Sequence, residues 1–419
     1  MQEVETLIVG GGITGLSVAA FLGKQADYLL LEREQELGGY CRTIQRDGFT
    51  WDYSGHFFHF RHARIEQWLR ERMPGEEIRT VTKRSFIHFA DKWLDFPFQK
   101  NIHQLPQQDF IDCLHDLYFA QQQKAGPEPR HFEEMLFARY GRGMAEKFLI
   151  PYNEKLYATP LSHLDVDAMG RFFPHVSLED VVRNMRSADN SSYNGSFTYP
   201  AGGAVSYVKA LASEVRPESV RLGESITRID PQARVVETTK GTYRYKRLVS
   251  SMPFPHLLRL CGWGDRVAPL TWNQVLVFNL GFDSKGPRDV HWVYYPQRDL
   301  PFYRVGFYDN IFDTERMSLY VELGFDREAR PDPEVYLPRV IEGLSKVGVV
   351  KEHKLVAWHS VLMNPAYVHI NAPSTALYEQ FRTEMAPLGL YSMGRYGRWT
   401  YCSIEDNILE AEAWVRAQA

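Results

Sequence analysis

The run Val9-Gly10-Gly11-Gly12-Ile13-Thr14-Gly15 constrains this chain more than any other part of it. A short apolar stretch at 5–9 leads into it, and a helical pattern at 13–23 leaves it. A second apolar run at 28–31 ends at Glu32. Strand, glycine turn, helix and strand in that order read as a βαβ unit with a parallel sheet. In that setting Gly10-x-Gly12-x-x-Gly15 is the dinucleotide-binding fingerprint. Gly10 permits the tight turn, Gly12 lets backbone approach a pyrophosphate, and Gly15 lets helix and strand pack closely. Thr14 lies in the same turn and counts among the expected contacts. The helix N-terminus aims N–H groups and a partial positive charge at the phosphates. Glu32, seventeen residues beyond Gly15, is placed to accept both ribose hydroxyls, and its charge repels a 2′-phosphate.

The remaining chain changes character in blocks. From 65 to about 195 it is mostly helical, with candidate helices at 61–72, 106–123, 132–140 and 142–149. Residues 186–196 are polar and small and predict a loop or lid. A helix is expected at 202–215, two or three strands at 219–252, and alternating strands over 270–325. A helix at 332–346 and a strand at 353–359 follow; strand, glycine-rich turn and helix close the chain. The expected fold class is α/β: a Rossmann-like domain with a helical insert and an antiparallel-sheet substrate domain. Segments 1–85, 195–265 and 386–419 would build the cofactor domain. Residues 86–194 would form a helical, lid-bearing substrate insert, and 266–385 the antiparallel sheet.

The net charge of −4 provides no basic field for nucleic acid, so anion binding must come from locally placed arginines. Cys41, Cys113, Cys261 and Cys402 are widely spaced and form no CxxC or Cys/His cluster. That argues against disulfides and zinc, predicts no metal, and fits a reducing cytosol. The first 20 residues lack a basic region and a cleavage site, and no apolar run approaches the length of a membrane span. A soluble cytoplasmic protein is the expectation; its oligomeric state is not legible.

Two further elements speak to the cofactor. Gly38-Gly39-x-x-Arg42 resembles the second glycine pair of glutathione-reductase-like and amine-oxidase-like flavoproteins, where it lies beside the flavin. Gly394-Arg395, ahead of a helix expected from Asn407, looks like their closing flavin contact. These likenesses imply FAD. An ordered series of segments is then similar to UDP-galactopyranose mutase, closer to its eukaryotic branch. Ser54-Gly55-His56-Phe57-Phe58 resembles the family's Gly-Gly-His motif. Phe96-Pro97-Phe98-Gln99 resembles its Tyr-Pro-Phe-Gln segment, and Pro151-Tyr152-Asn153-x-Lys155-x-Tyr157 its Pro-Tyr-Asn-x-Lys-x-Trp. Arg171, then Trp292-x-Tyr294 and Arg304, follow at family spacing, with Tyr367, Gly394-Arg395 and Tyr401 completing the series. Phe96 and Tyr157 depart from the family's Tyr and Trp, and Ile404-Glu405 displaces Asp406-Asn407 by two positions.

The resemblance implies a nucleotide-sugar mutase, UDP-sugar foremost, that interconverts pyranose and furanose forms through a covalent adduct on reduced flavin, without net redox change. NAD(P)H is then a candidate reductant. Arg171 and Arg304 would clamp the departing diphosphate bidentately, with Tyr367 and Tyr401 donating to the same oxygens. His56 would sit beside the flavin, with Gly55. Phe96, Phe98, Gln99, Asn153 and Tyr157 would read the base, and Trp292 and Tyr294 would add nucleotide contacts. Two alternatives stand beside it: an FAD amine oxidase or desaturase, and a catalytically silent nucleotide-sugar-binding flavoprotein.

Overall fold

Two sheets organise the chain in the computed structural model, which describes residues 1–122, 127–189 and 195–418. In the first, Leu390–Ser392, Thr242–Ser250, Gln2–Val9, Tyr28–Leu31 and Val220–Arg221 run parallel, with Gln2–Val9 between Thr242–Ser250 and Tyr28–Leu31. Ile226–Asp230 and Val235–Thr238 add an antiparallel hairpin to the outer part of Thr242–Ser250, so 219–252 holds four strands. Alternation sends Ile8 into one core with Leu16, Tyr207 and Ile408, while Leu7 and Val9 enter another with Phe254, Leu257 and Phe381. All four residues of Tyr28–Leu31 are buried, as a parallel strand covered on both faces requires.

The second sheet runs in the order Leu355–Met363, Thr271–Phe282, Ser318–Asp326, Arg304–Phe307, Trp292–Tyr294, Ser85–Phe89, Lys92–Asp95. Its pairs are antiparallel except Trp292–Tyr294 with Ser85–Phe89. One face is apolar, with Phe278, Val293, Val305 and Val321 packed beneath Val340 and Leu344 of helix Pro333–Lys346. The other face carries Trp292, Tyr294, Tyr320 and, in register opposite each other, Arg304 and Glu322. The segment 86–194 therefore begins as part of this sheet before turning helical.

The helices expected at 132–140 and 142–149 form one run, Phe132–Met144, kinked where Gly141 takes a φ of 72°. It continues through Ala145–Leu149 into Ile150–Tyr157. Lys155 in its last turn donates to the carbonyls of Tyr295, Gln297 and Phe302 at 3.0, 2.7 and 2.5 Å, pinning the helix to the second sheet. The final helix is Ile404–Gln418, three residues longer at its start than expected. Of the expected loop at 186–196, residues 190–194 lie outside the described residues. Among the described residues no helix is long and apolar enough to cross a membrane.

Candidate functional site

A cleft of about 950 Å³ opens where Val9, Leu31 and Ser251, at the C-terminal ends of the parallel strands, face the second sheet. That is where open α/β sheets bind ligands. Gly10 takes a φ of +101°, and a Cβ at Gly15 would stand 1.9 Å from the Gly10 carbonyl oxygen. Only glycine serves at both positions. Helix Ile13–Leu22 has no side-chain cap, leaving its N-terminus open to an anion. The Gly38 N–H donates to the Gly11 carbonyl at 2.8 Å, which brings the second glycine pair against the first.

Glu32 lines this cleft, but its carboxylate already accepts backbone N–H groups from Gly11 at 2.7 Å and Glu34 at 2.9 Å. Each oxygen keeps a second lone pair for a ribose hydroxyl. Arg42 is tied to the Glu36 carbonyl at 2.7 Å. Asn407 knits the opposite side: its Oδ1 accepts from Thr14 Oγ1 and from the Arg395 N–H, both at 2.9 Å. Its Nδ2 donates to the Ser403 carbonyl at 2.7 Å. Gly12, Gly38, Gly39 and Arg395 line the cleft, and Gly394 packs behind them against Thr14 and Asn407.

The second sheet supplies the facing wall. Arg304 lays its guanidinium on Glu322, Nε to Oε2 at 2.7 Å and Nη2 to Oε1 at 2.8 Å. Glu322 is only 1% exposed and also accepts from Ser54 Oγ. Gly55 lies under Tyr320, where a Cβ would meet the phenol oxygen at 2.6 Å. His56 Nδ1 donates to the Ser54 carbonyl at 3.1 Å. Burial pushes its imidazole down to about 4, against an opposing pull from Glu322. Trp292 Nε1 donates to Tyr294 Oη at 2.7 Å. Tyr367 and Tyr401 stack at 5.9 Å, and the Arg395 guanidinium lies 4.4 Å from the Tyr401 ring.

Arg171 reaches the cleft from the helical segment and bonds Asp406 at 2.6 Å, over the Phe172 ring at 4.6 Å. Asp406 is shared with Arg61, also at 2.6 Å. Both expected clamp arginines therefore line one cleft, and each is held by a carboxylate of the chain itself.

The expected base-reading residues are placed elsewhere. Phe96 packs on Tyr294 at 5.0 Å, and Phe98 stacks on Phe148 at 4.8 Å. Gln99 donates to the Pro174 carbonyl at 3.2 Å and Asn153 to the Leu149 carbonyl at 2.7 Å. Tyr157 is buried against Tyr367 and His369. None of the five lines the cleft. Rings and amides of these kinds satisfy a core as readily as a ligand, and here helix Ile150–Tyr157 is drawn inward by Lys155. Glu322, Tyr303 and Tyr320 line the cleft without having been singled out from the sequence. For Glu322 the signal was an acid within the apolar strand Ser318–Asp326.

Comparison with known proteins gives this geometry a setting. The NAD(P)-binding Rossmann-like domain family matches residues 8–72. A zeta-carotene-forming phytoene desaturase of Myxococcus xanthus is 47% identical over 52 residues, 12% of this chain and 10% of that protein. Over the whole chain, a crystal structure of reduced UDP-galactopyranose mutase superposes with a TM-score of 0.92 at 24% identity, covering 100% of this chain and 94% of that one. The fold is that of UDP-galactopyranose mutase. Cyclohexylamine oxidase from Brevibacterium oxydans shares it more loosely, with a TM-score of 0.70 at 14% identity, 99% of this chain and 98% of the oxidase. The mutase and the oxidase thus share this fold, and the family match covers the glycine turn, the end of the strand before it and the strand Tyr28–Leu31.

Proposed function

We propose that this chain is an FAD-dependent enzyme that interconverts the pyranose and furanose forms of a nucleotide sugar. The observation that carries this reading is the cleft with a dinucleotide turn on one wall and Arg171 and Arg304 on the others. The FAD would lie along Gly10, Gly12, Thr14 and Glu32, with Gly38, Gly39, Arg42, Gly55, Gly394 and Arg395 closing around it. Bound and reduced, FAD supplies a nucleophile for the anomeric carbon; NAD(P)H is the first reductant to try.

The chain's own residues meet the other demands. A nucleoside diphosphate gains negative charge as its bond to the sugar breaks. Stabilisation that grows with that charge lowers the barrier, and planar guanidinium groups provide it bidentately. Arg171 and Arg304 would meet the diphosphate with the guanidinium N–H groups that Asp406 and Glu322 leave free. Burial raises the Tyr367 phenol above its ordinary range, so it stays a donor. His56, held neutral, adds no charge beside the reacting centre. Trp292, stacked on Phe57, would hold Tyr294 in place through its indole N–H.

A second reading, an FAD oxidase or desaturase, is favoured by the desaturase likeness over the N-terminal segment. One experiment separates them. Dithionite-reduced protein is mixed with a panel of nucleotide pyranoses and furanoses, and products are resolved by chromatography. An isomerised sugar supports the mutase. No isomer, together with steady oxygen uptake on an amine or polyene, overturns it.

A further inference from the structure

Among the described residues, the buried hydroxyls of Tyr207, Tyr245, Tyr295 and Tyr303 have no hydrogen-bond partner. A buried hydroxyl left unpaired costs about 1–3 kcal/mol. Of the four residues, only Tyr303 lines the cleft. It is 0% exposed and fixed by backbone on both sides: its N–H donates to the Glu322 carbonyl at 3.0 Å, and its carbonyl accepts from Tyr295 at 2.9 Å. Its ring meets Tyr152 edge-on at 6.1 Å, and the Arg304 guanidinium carbon lies 6.0 Å from its centre. The neighbouring Glu322 carboxylate is already engaged, accepting from Ser54 and from both arms of Arg304. A phenylalanine at this position would fill the same space without the penalty, as Phe302 does on the apolar side of the sheet.

We infer that Tyr303 is a ligand-binding residue whose hydroxyl donates a hydrogen bond to a diphosphate oxygen held by Arg304. The inference rests on the nucleotide-sugar reading above. Burial raises the phenol well above its ordinary range, so the group is a donor at every working pH. A donor adjacent to a guanidinium suits an anionic oxygen and repels a cationic amine.

The test uses FAD-loaded wild-type protein, Tyr303→Phe and the control Tyr295→Phe, each titrated with UDP and melted thermally. Y303F should bind UDP roughly tenfold more weakly, the effect of one hydrogen bond to a charged group, with an unchanged or higher melting temperature. Y295F loses a buried, unpaired hydroxyl away from the cleft and should bind as wild type does. Equal UDP affinity in Y303F and wild type overturns the inference. So does weaker binding accompanied by a melting temperature below that of Y295F, because the hydroxyl would then be structural. Wild-type protein that binds no nucleoside diphosphate removes the nucleotide-sugar reading, and this inference with it.

Discussion

Arg304 and Arg171 carry the same charge in different surroundings. Arg304 is 21% exposed and forked onto a carboxylate that is itself buried, whereas Arg171 is 40% exposed and holds Asp406 near the surface. A lysine at 304 cannot reproduce the fork and would leave Glu322 half-paired in the interior. R304K should therefore lower kcat/KM by about a hundredfold or more, the scale of a lost oxyanion donor. R171K, where solvent compensates, should lower it by about tenfold. Steady-state kinetics of both variants checks the ranking, and a larger loss in R171K would reverse the assignment of the principal clamp. His56 gives a second expectation. With its imidazole pushed down to about 4, it is neutral across the physiological range. Imidazole shifts followed by NMR should place its midpoint below 5, and the pH profile of turnover should show no limb from it near 6.5. Arg304, which lines the cleft, was singled out by the resemblance to the mutase family's spacing from Trp292 and Tyr294. Its partner Glu322 was not, because only strand pairing brings residue 322 opposite residue 304.

The elements that were legible are the local ones. The glycine turn, helix Ile13–Leu22 and strand Tyr28–Leu31 are contiguous, and each glycine there answers a backbone constraint within a few residues. The hairpin Ser85–Phe89 and Lys92–Asp95 was not, because its place is set by parallel pairing with Trp292–Tyr294, some two hundred residues away. The five base-reading candidates stand outside the cleft lining for a related reason: a residue type tells what a side chain can bind, not which way its helix is turned. The start of helix Ile404–Gln418 shows what element-scale design achieves here. Asn407 joins this helix to the fingerprint helix through Thr14 and to the Gly394 turn through the Arg395 N–H. Asn407→Ala strands a buried hydroxyl and a backbone N–H at once and should reduce stability by about 1–3 kcal/mol in urea titrations. Asn407→Asp keeps the acceptor and should recover much of the loss. Equal behaviour of the two variants would mean that this junction does not depend on the acceptor.

At the scale of the whole molecule, buried titratable groups fix the pH at which the fold is most stable. His56, His59, His291 and His369 are lowered from 6.5 to about 4 by burial. Between those values the unfolded chain binds more protons, so stability falls as pH drops through that window. Asp52, raised from 3.8 to about 6 by burial, acts in the opposite direction with Asp309 and Glu410. His88, His175, His256 and His359 are lowered too, however, and the histidines outnumber these carboxylates. Lys83 and Lys155 are lowered from 10.5 to about 7, again by burial, so stability climbs with pH above 7. Cys41, Cys113 and Cys261 are raised from 9 to about 12, so above pH 9 the unfolded thiols ionise first and stability falls again. The rising and falling arms cross at about pH 8 to 9. Thermal melts of the FAD-loaded protein should thus give their highest midpoint near pH 8.5, a lower one at 7 and the lowest at 5. A maximum at pH 6 or below would mean that the histidines and lysines are solvated in the folded chain. The packing of the second sheet's inner face against the helical segment, where His291 and Lys155 reside, would then need to be redrawn.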